Sequence, residues 1–182
     1  GGWSYEMGKH FHNEVYFGDS IATFYQKNIE TPFFNHHLKN TKSAIDLPEA
    51  YMFDTGKKEW KQFAEWPPKN AQKTAFYLRE NGQFSSESPS SASFTEYFSD
   101  PNKPVPSSTN LKEFNGFTPR NYMSEDQRFA ENRPDVASFT TEILAEDLTL
   151  AGEIKVKLKI ATTGTDADFF VKLIDIYPAD EK

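Results

Sequence analysis

Two apolar runs near the end of the chain constrain its fold more than any other feature of the sequence. In "GEIKVKLKIATTG" (152–164), aliphatic residues alternate with lysines, so a strand here has one apolar face and one charged face. In "DFFVKLIDIYP" (168–178), both faces of a strand are apolar. One face carries Phe169, Val171 and Leu173, and the other carries Phe170, Ile174 and Ile176. A strand that is apolar on both sides has to be covered twice, which predicts a central strand of a layered β structure.

The middle of the chain has the sequence pattern of an all-β domain. From residue 48 onward, short extended runs ("EAYMFDTG", "EWKQFAEWPP", "KTAFYLRENGQF", "ASFTEYFSDP") are divided by Pro, Gly, Ser and Asp. Asn81-Gly82 predicts a two-residue hairpin turn, because both residue types tolerate positive φ. The proline-rich "DPNKPVPSSTN" (100–110) predicts an exposed connection. Together these patterns predict a mainly β fold, an antiparallel β-sandwich.

A helical segment is predicted before the sandwich. Asp19-Ser20 can cap a helix whose apolar residues recur at Ile21, Phe24, Tyr25 and Ile29. Thr31-Pro32 predicts a second helix start, with Thr as N-cap and Pro in the first helical position. That helix is expected to end near Lys39-Asn40.

Composition excludes several classes of function. Twenty basic and 27 acidic residues give a formal charge of −7, which disfavours nucleic acid and anionic membranes as partners. The chain has no cysteine, which excludes disulfides, thiolate metal sites and a cysteine nucleophile. No apolar run approaches the roughly 20 residues of a membrane helix. We predict no cofactor, and the absence of cysteine is compatible with periplasm and cytosol alike.

Three stretches resemble the C-terminal region of the CocE/NonD hydrolases, a group that includes α-amino acid ester hydrolases, glutaryl-7-aminocephalosporanic acid acylases, cocaine esterase and X-Pro dipeptidyl-peptidases. They are "EWKQFAEWPP" (59–68), "YMSEDQRFAENRPDV" (122–136) and "TTGTDADFFVKLIDIYPAD" (162–180). The Asp-Gln-Arg-Phe and Arg-Pro-Asp-Val elements favour the α-amino acid ester hydrolase branch. The resemblance extends from "NEVYFG" at Asn13 to the end of the chain.

The resemblance implies an architecture and a parent activity. In this family an α/β-hydrolase domain carries a Ser-His-Asp triad, and a C-terminal jelly roll packs against it. Residues 1–46 are then expected to be the last loop and helices of the α/β-hydrolase domain. Residues 47–182 are expected to be the first part of the jelly-roll β-sandwich, truncated at Lys182. A periplasmic or secreted location is favoured by the resemblance.

Ser4 in "GGWSYEMG" stands in a near match to the G-x-S-x-G turn that presents a nucleophilic serine. Glu6 occupies the position of the final glycine, and four residues cannot supply the strand that must precede such a turn. Gly1-Gly2-Trp3 instead resembles the residues that follow the catalytic histidine of the family. We therefore assign no catalytic residue, no cofactor-binding residue and no metal ligand in this chain.

Histidine and aspartate groups have both functional and structural interpretations. His10 and His12 have the spacing of half a metal site, although two histidines in a polar loop are usually solvated. His36 and His37 diverge by about 100° on a helix and are interpreted as helix surface and packing residues. The aspartates of the last apolar run suggest a carboxylate or calcium site, against the commoner role of capping a turn. They are Asp166, Asp168 and Asp175.

Aromatic and lysine patterns have two interpretations as well. Trp60, Phe63 and Trp66 could form a sugar-stacking platform, but packing is favoured because large rings are mostly buried. The lysines of the alternating run are interpreted as a solvated strand face that discourages edge pairing. They are Lys155, Lys157 and Lys159.

The sequence therefore predicts a non-catalytic, C-terminal part of a serine acyl hydrolase that cleaves esters or amides, inactive by itself. Its expected partner is the rest of its own hydrolase chain, and homo-oligomer formation stays open. The alternative is a carbohydrate-binding or interaction β-sandwich without enzymatic activity.

The interpretation of Ser4 has a direct test. We expect the chain to keep its mass after treatment with a fluorophosphonate probe, because an unactivated serine does not attack it. Intact-protein mass spectrometry measures this. An adduct that disappears in Ser4→Ala would make this short chain an enzyme in its own right.

Overall fold

The structure, a computed structural model, describes residues 8–12, 15–39, 45–109 and 124–178. Its strands pair as three separate antiparallel hairpins: β1 with β2, β3 with β4, and β5 with β6. The elements in chain order are β1 (Phe11–His12), β2 (Val15–Tyr16), α1 (Ile21–Tyr25), a π-helical turn (Gln26–Glu30), α2 (Thr31–Leu38), β3 (Ala50–Asp54), β4 (Glu59–Phe63), β5 (Tyr77–Leu78), β6 (Phe84–Ser85) and α3 (Arg128–Glu131).

The predicted cap of the first helix is confirmed. Ser20 has extended backbone angles and its hydroxyl accepts a hydrogen bond from the Thr23 N–H, 3.4 Å away. Asp19 contributes from outside the helix, since its Oδ1 accepts the Ser20 N–H at 2.7 Å. Ser20 is buried together with the neighbouring Ala22. Two of the four orphan donors at this helix start, the N–H groups of Ser20 and Thr23, are therefore satisfied by side chains of the capping pair.

Helix α2 begins at Thr31, as predicted, but the predicted role of Thr31 as its N-cap is wrong. The backbone remains helical at Glu30 and Thr31, and the Thr31 N–H donates to the Gln26 carbonyl, the spacing of a π turn. Pro32 has no N–H to donate to the carbonyl four residues earlier in an α-helix. The helical backbone therefore continues into the proline through a π turn, and the chain does not end one helix and cap a second one. Asn28 supports this passage by donating its side-chain amide to the Phe24 carbonyl at 3.0 Å. The expected end of the helix is confirmed, with Lys39 as its C-cap.

The hairpin of β3 and β4 follows the sequence prediction closely. The register pairs Tyr51 with Gln62 and Phe53 with Trp60. Asp54 closes the turn, because its Oδ1 accepts the Lys57 N–H at 2.9 Å and its Oδ2 pairs with the Lys61 ammonium at 2.5 Å. The Lys57 N–H, followed by the Lys61 side chain, lowers the pKa of the Asp54 carboxyl.

The core of the described residues lies where α1 packs on this hairpin. The Phe24 ring stacks on the Trp60 indole with a centroid distance of 4.6 Å and an interplanar angle of 18°. Tyr51 and Phe53 meet the same indole edge-on at 5.5 Å and 5.4 Å. Phe17 extends the cluster to the loop before α1 through a 6.1 Å edge contact with Phe53. The packing of three rings against one indole makes this cluster the joint between the helical segment and the β part.

The Asn81-Gly82 hairpin is confirmed, with a loop one residue longer than predicted. Both residues have positive φ (59° and 70°), but the loop spans Glu80–Gly82 in a single 3₁₀ turn. The Arg79 N–H donates to the Gln83 carbonyl at 2.8 Å just before the loop. Gly82 then accepts the Thr140 N–H at 2.8 Å, and the Thr140 carbonyl accepts the Phe84 N–H at 2.9 Å. A distant segment is thus joined to the turn that the local sequence specifies.

The strands predicted over 92–101, 152–164 and 168–178 do not form. Within the described residues 141–178, the structure contains no helix and no strand. Strand hydrogen bonds run between segments, so a run with strand periodicity becomes a strand only where a neighbour presents its backbone. The described part of the chain places no such neighbour beside these runs. The expected jelly-roll sandwich is accordingly seen here only as separate hairpins.

The aromatic joint predicts unequal costs for two tryptophan substitutions. Trp60→Ala should lower the free energy of unfolding by about 2–4 kcal/mol, because it removes the ring that Phe24, Tyr51 and Phe53 enclose. Trp66 is 41% exposed and packs at the edge of Phe63, so Trp66→Ala should cost about 1 kcal/mol. Denaturant unfolding followed by far-UV circular dichroism measures both. Equal costs would contradict the assignment of Trp60 as the joint.

Candidate interaction surface

The histidines singled out in the sequence lie on the N-terminal elements. The His10 ring nitrogen Nδ1 lies 3.2 Å from the Gly18 carbonyl, a local contact across the loop between β2 and α1. His12 lies in β1, opposite Val15. The His36 and His37 rings meet edge-on at 4.8 Å, and the His37 ring lies 4.4 Å from that of Phe33. Across the described residues, no group of three or more His, Asp and Glu is placed to hold a metal ion.

The aspartates near the end of the chain are exposed and do not converge. Asp166, Asp168 and Asp175 lie along the extended segment after Gly164. The turn before them is closed by Thr162, whose hydroxyl accepts the Gly164 N–H at 3.0 Å. Ser4 lies outside the described residues.

The tryptophans are packed as the sequence favoured. Phe24 covers one face of Trp60, so that face offers no platform for a sugar. Trp66 packs at the edge of Phe63 with a centroid distance of 5.6 Å. Both tryptophans therefore act as packing residues, and Trp66 is the more exposed of the two.

The prominent surface feature is a stretch of exposed apolar side chains between residues 143 and 178. It contains the two apolar runs of the sequence, 152–164 and 168–178. Ile143 at its start is 99% exposed. Lys155, Lys157 and Lys159 are also exposed, as predicted, and Lys155 pairs with Glu153 at 3.1 Å. The exposed large apolar residues are Ile143, Leu144, Leu148, Leu150, Ile154, Val156, Leu158, Ile160, Phe169, Phe170, Val171, Leu173, Ile174, Ile176 and Tyr177. Exposed apolar surface of this extent is typical of sites that contact another protein, a membrane or a ligand.

Two contacts hold the apolar runs against the rest of the chain. Gly152 lies against Pro67 so closely that a Cβ in its place would be 3.0 Å from the proline Cβ, and its φ of 98° suits glycine alone. Further along, the Lys172 ammonium donates to Gln127 Oε1 at 2.6 Å and lies 6.0 Å from the centre of the Phe129 ring. The runs are therefore attached at two points while their apolar side chains stay exposed.

A polar cluster around Glu125, which the sequence analysis missed, lies beside the second attachment. Its Oε1 accepts the Thr109 N–H at 2.9 Å and also the Thr109 hydroxyl. The Thr109 hydroxyl has the largest effect in lowering the pKa of the Glu125 carboxyl, followed by the buried Ser108 hydroxyl, and the charge of Lys172 acts in the same direction. The cluster joins three segments that are far apart in sequence, so local patterns gave no signal for it.

Charged residues around α3, in the stretch 122–136 that carries part of the family resemblance, make charge-assisted contacts with one another. Asp126 accepts the Arg128 backbone N–H at 2.9 Å and its side-chain Nε at 2.6 Å, so this aspartate braces the start of α3. After α3, Arg133 forms a two-pronged pair with Asp135 at 2.8 Å and 2.6 Å. The same guanidinium reaches the Lys103 carbonyl at 3.3 Å, which ties the proline-rich connection to this motif. These residues tie the backbone around α3 to neighbouring segments.

Among the described residues, no helix has the length and apolarity that crossing a membrane requires.

These features describe a domain of short β-hairpins with an extended exposed apolar segment and, among the described residues, no side chains gathered into a metal site. Residues 43–182 match the family described as the X-Pro dipeptidyl-peptidase C-terminal non-catalytic domain, and the chain belongs to this family. It is 31% identical over 157 residues to cocaine esterase from Rhodococcus sp. (strain MB1 Bresler), an alignment that covers 80% of this chain and 27% of the relative.

Two solved structures share its fold. An aminopeptidase from a marine sediment Thaumarchaeota archaeon superposes with a TM-score of 0.63 at 27% identity, over 74% of this chain and 22% of that one. A selenomethionine-labelled α-amino acid ester hydrolase superposes with a TM-score of 0.62 at 32% identity, over 75% of this chain and 24% of that one. The chain thus spans about a quarter of the length of these relatives. The resemblance to the C-terminal region of CocE/NonD hydrolases is confirmed.

The Glu125 cluster predicts a pH-dependent contribution to stability. A carboxyl with a lowered pKa in the folded state stabilises above its ordinary pKa, and this stabilisation is lost as pH falls through the folded-state value. Glu125→Gln should therefore lower the melting temperature at pH 7, and the difference from the wild type should close as pH falls below about 4. Thermal unfolding monitored from pH 7 to pH 3 measures it.

The matched control is Glu153→Gln, which removes an exposed carboxylate that pairs with the exposed Lys155 at 3.1 Å. Such a pair contributes little, so this variant should melt like the wild type throughout. A pH-independent loss in Glu125→Gln would show that the amide fails to fit and that the charge is irrelevant.

Proposed function

We propose that this chain is the non-catalytic C-terminal part of a serine acyl hydrolase that cleaves esters or amides, of the α-amino acid ester hydrolase or cephalosporin acylase kind. The observation that carries the proposal is the family match over residues 43–182 together with relatives that are hydrolases about three times as long. The triad would lie outside these residues. In the parent, a serine would attack the acyl carbon with a histidine as general base, and backbone donors would stabilise the oxyanion.

The proposed domain boundary lies between residues 46 and 47. Residues 1–46 would be the last loop and helices of the α/β-hydrolase domain, and residues 47–182 the first part of the jelly roll. The family match begins at residue 43, close to this boundary. Helix α2 supports the assignment because Phe33, Phe34 and Leu38 are exposed on it, with Leu38 at 75%. A helix with its rings outward is suited to packing against a further layer of protein.

The contribution of this part would be architectural. The Phe24–Trp60 joint couples the helical segment to the β part, so the hydrolase domain and the jelly roll would be held in a defined relation. A domain held in this way can wall the mouth of an active site and exclude water from it. The carbohydrate-binding alternative is weakened by the same contact, because Phe24 occupies a face of Trp60 that a sugar would need.

The test uses the whole protein that carries this chain, assayed with a chromogenic amino-acid ester. We expect Phe34→Asp combined with Leu38→Asp to lower kcat/KM at least tenfold and to lower the melting temperature, because two charges would be buried against the hydrolase domain. Replacing the proposed upstream nucleophilic serine by alanine should abolish hydrolysis with the melting temperature unchanged.

The control is Val105→Asp, a similar change at a partly exposed position of the proline-rich connection. It should leave both activity and melting temperature near the wild type. The proposal would be contradicted if the whole protein hydrolysed neither esters nor amides. The assigned domain boundary would be contradicted if the Phe34→Asp, Leu38→Asp variant kept full activity.

A further inference from the structure

Gly8, which lies ahead of β1, is held by two side chains from the first turn of α1. Its backbone N–H donates to both hydroxyls, at 3.0 Å from Ser20 Oγ and 2.9 Å from Thr23 Oγ1. The hydroxyls are also joined to each other, since Ser20 donates to Thr23 Oγ1 at 2.9 Å. We call these three residues the clasp. Its bonds to Gly8 span 12 and 15 positions of the chain, so it is a tertiary contact.

The hydrogen-bonding capacity of the Ser20 hydroxyl is fully used in the clasp. A hydroxyl has one proton to donate and two lone pairs that accept. Ser20 Oγ accepts the N–H groups of Gly8 and Thr23 and donates its proton to Thr23 Oγ1. Ser20 is only 6% exposed. Capping α1 requires just the bond from the Thr23 N–H, so the cap alone does not account for this arrangement.

The backbone conformation at Gly8 is one that favours glycine. Its φ is 76°, in the left-handed region. A Cβ built at this position would have no atom within 4 Å, so the space around it is open. Packing around a side chain therefore cannot fix the backbone here, which leaves that role to the hydrogen bonds of the clasp.

The clasp is connected to the aromatic joint through adjacent residues of one helix. Phe24 follows Thr23 directly, and its N–H donates to the Ser20 carbonyl at 3.0 Å. The Phe24 ring stacks on Trp60 of β4 at 4.6 Å. Two contacts from a single helical turn thus relate Gly8 to the hairpin of β3 and β4: an N–H held by two hydroxyls, and a ring held by a ring.

We propose that Ser20 and Thr23 are positioning residues for the active site of the parent hydrolase. The inference rests on the proposed function, and on the resemblance of Gly1-Gly2-Trp3 to the residues that follow the family's catalytic histidine. The clasp fixes the backbone at Gly8, five positions after Trp3, and so restrains the segment that leads from this histidine. Such a restraint matters because misplacing a catalytic group by about 1 Å can lower the rate about 100-fold.

The test measures kcat and KM of the whole protein that carries this chain, with a chromogenic amino-acid ester as substrate. Thr23→Val keeps the branched shape of the side chain and removes the hydroxyl. It should lower kcat about tenfold and leave KM near the wild-type value, because the position of a catalytic group affects the chemical step. Thr23→Ser keeps the hydroxyl and should retain most of the wild-type kcat.

Hydrogen exchange, followed by mass spectrometry on peptides that contain Gly8, reports the clasp itself in the same protein. An amide that is hydrogen-bonded in the folded state exchanges only when that bond opens. Exchange at Gly8 should therefore be faster in Thr23→Val than in the wild type, and slow again in Thr23→Ser.

Thr162→Val is the matched control, because the Thr162 hydroxyl also accepts a glycine N–H, that of Gly164 at 3.0 Å, but within a local turn. It should keep the wild-type kcat and the wild-type exchange at Gly8. Wild-type kcat or wild-type Gly8 exchange in Thr23→Val would overturn this inference alone, as would an equal fall of kcat in Thr162→Val. A wild-type protein that hydrolyses neither esters nor amides would instead contradict the proposed function on which the inference rests.

Discussion

The described fold depends on the stacking of Phe24 on Trp60. One ring belongs to a short helix and the other to a hairpin, and neither element is long enough to be stable alone. The 4.6 Å contact, with Tyr51 and Phe53 around it, gives both elements a shared core. The Ser20 cap and the Asp54 turn then set the direction in which each ring is presented. The helix cap and the hairpin turn orient the two elements, and the contact between Phe24 and Trp60 joins them.

The motifs that carry the family resemblance turn out to have structural roles. Asp126 braces Arg128 at the start of α3, and the Arg133–Asp135 pair fastens the connection at Lys103. Such paired charges tie backbone segments together when their geometry is two-pronged. This agrees with membership of a family described as non-catalytic. The paired charges of these two motifs therefore tie neighbouring backbone segments together.

Features that depend on a few neighbouring residues were predictable. The Ser20 cap, the hairpin from Ala50 to Phe63 and the positive φ angles at Asn81 and Gly82 all follow from local chemistry. The π turn before Pro32 was missed because Thr-Pro is an equally good signal for a new helix. The Glu125 cluster was missed because its members lie 16 and 47 positions apart in the chain. No local pattern connects a glutamate to a threonine and a lysine at such distances.

The sequence by itself determined the periodicity of the apolar runs, the Ser20 cap, the positive φ angles at Asn81-Gly82, and the family to which the chain belongs. Only the tertiary structure decided which periodic runs became strands, since a strand requires the backbone of a second segment. The tertiary structure also decided that three rings pack around Trp60 and that Lys172 contacts Gln127 and Phe129. Periodicity is a property of one segment, whereas pairing and enclosure are properties of two, and this physical difference sets the limit of what one segment can specify.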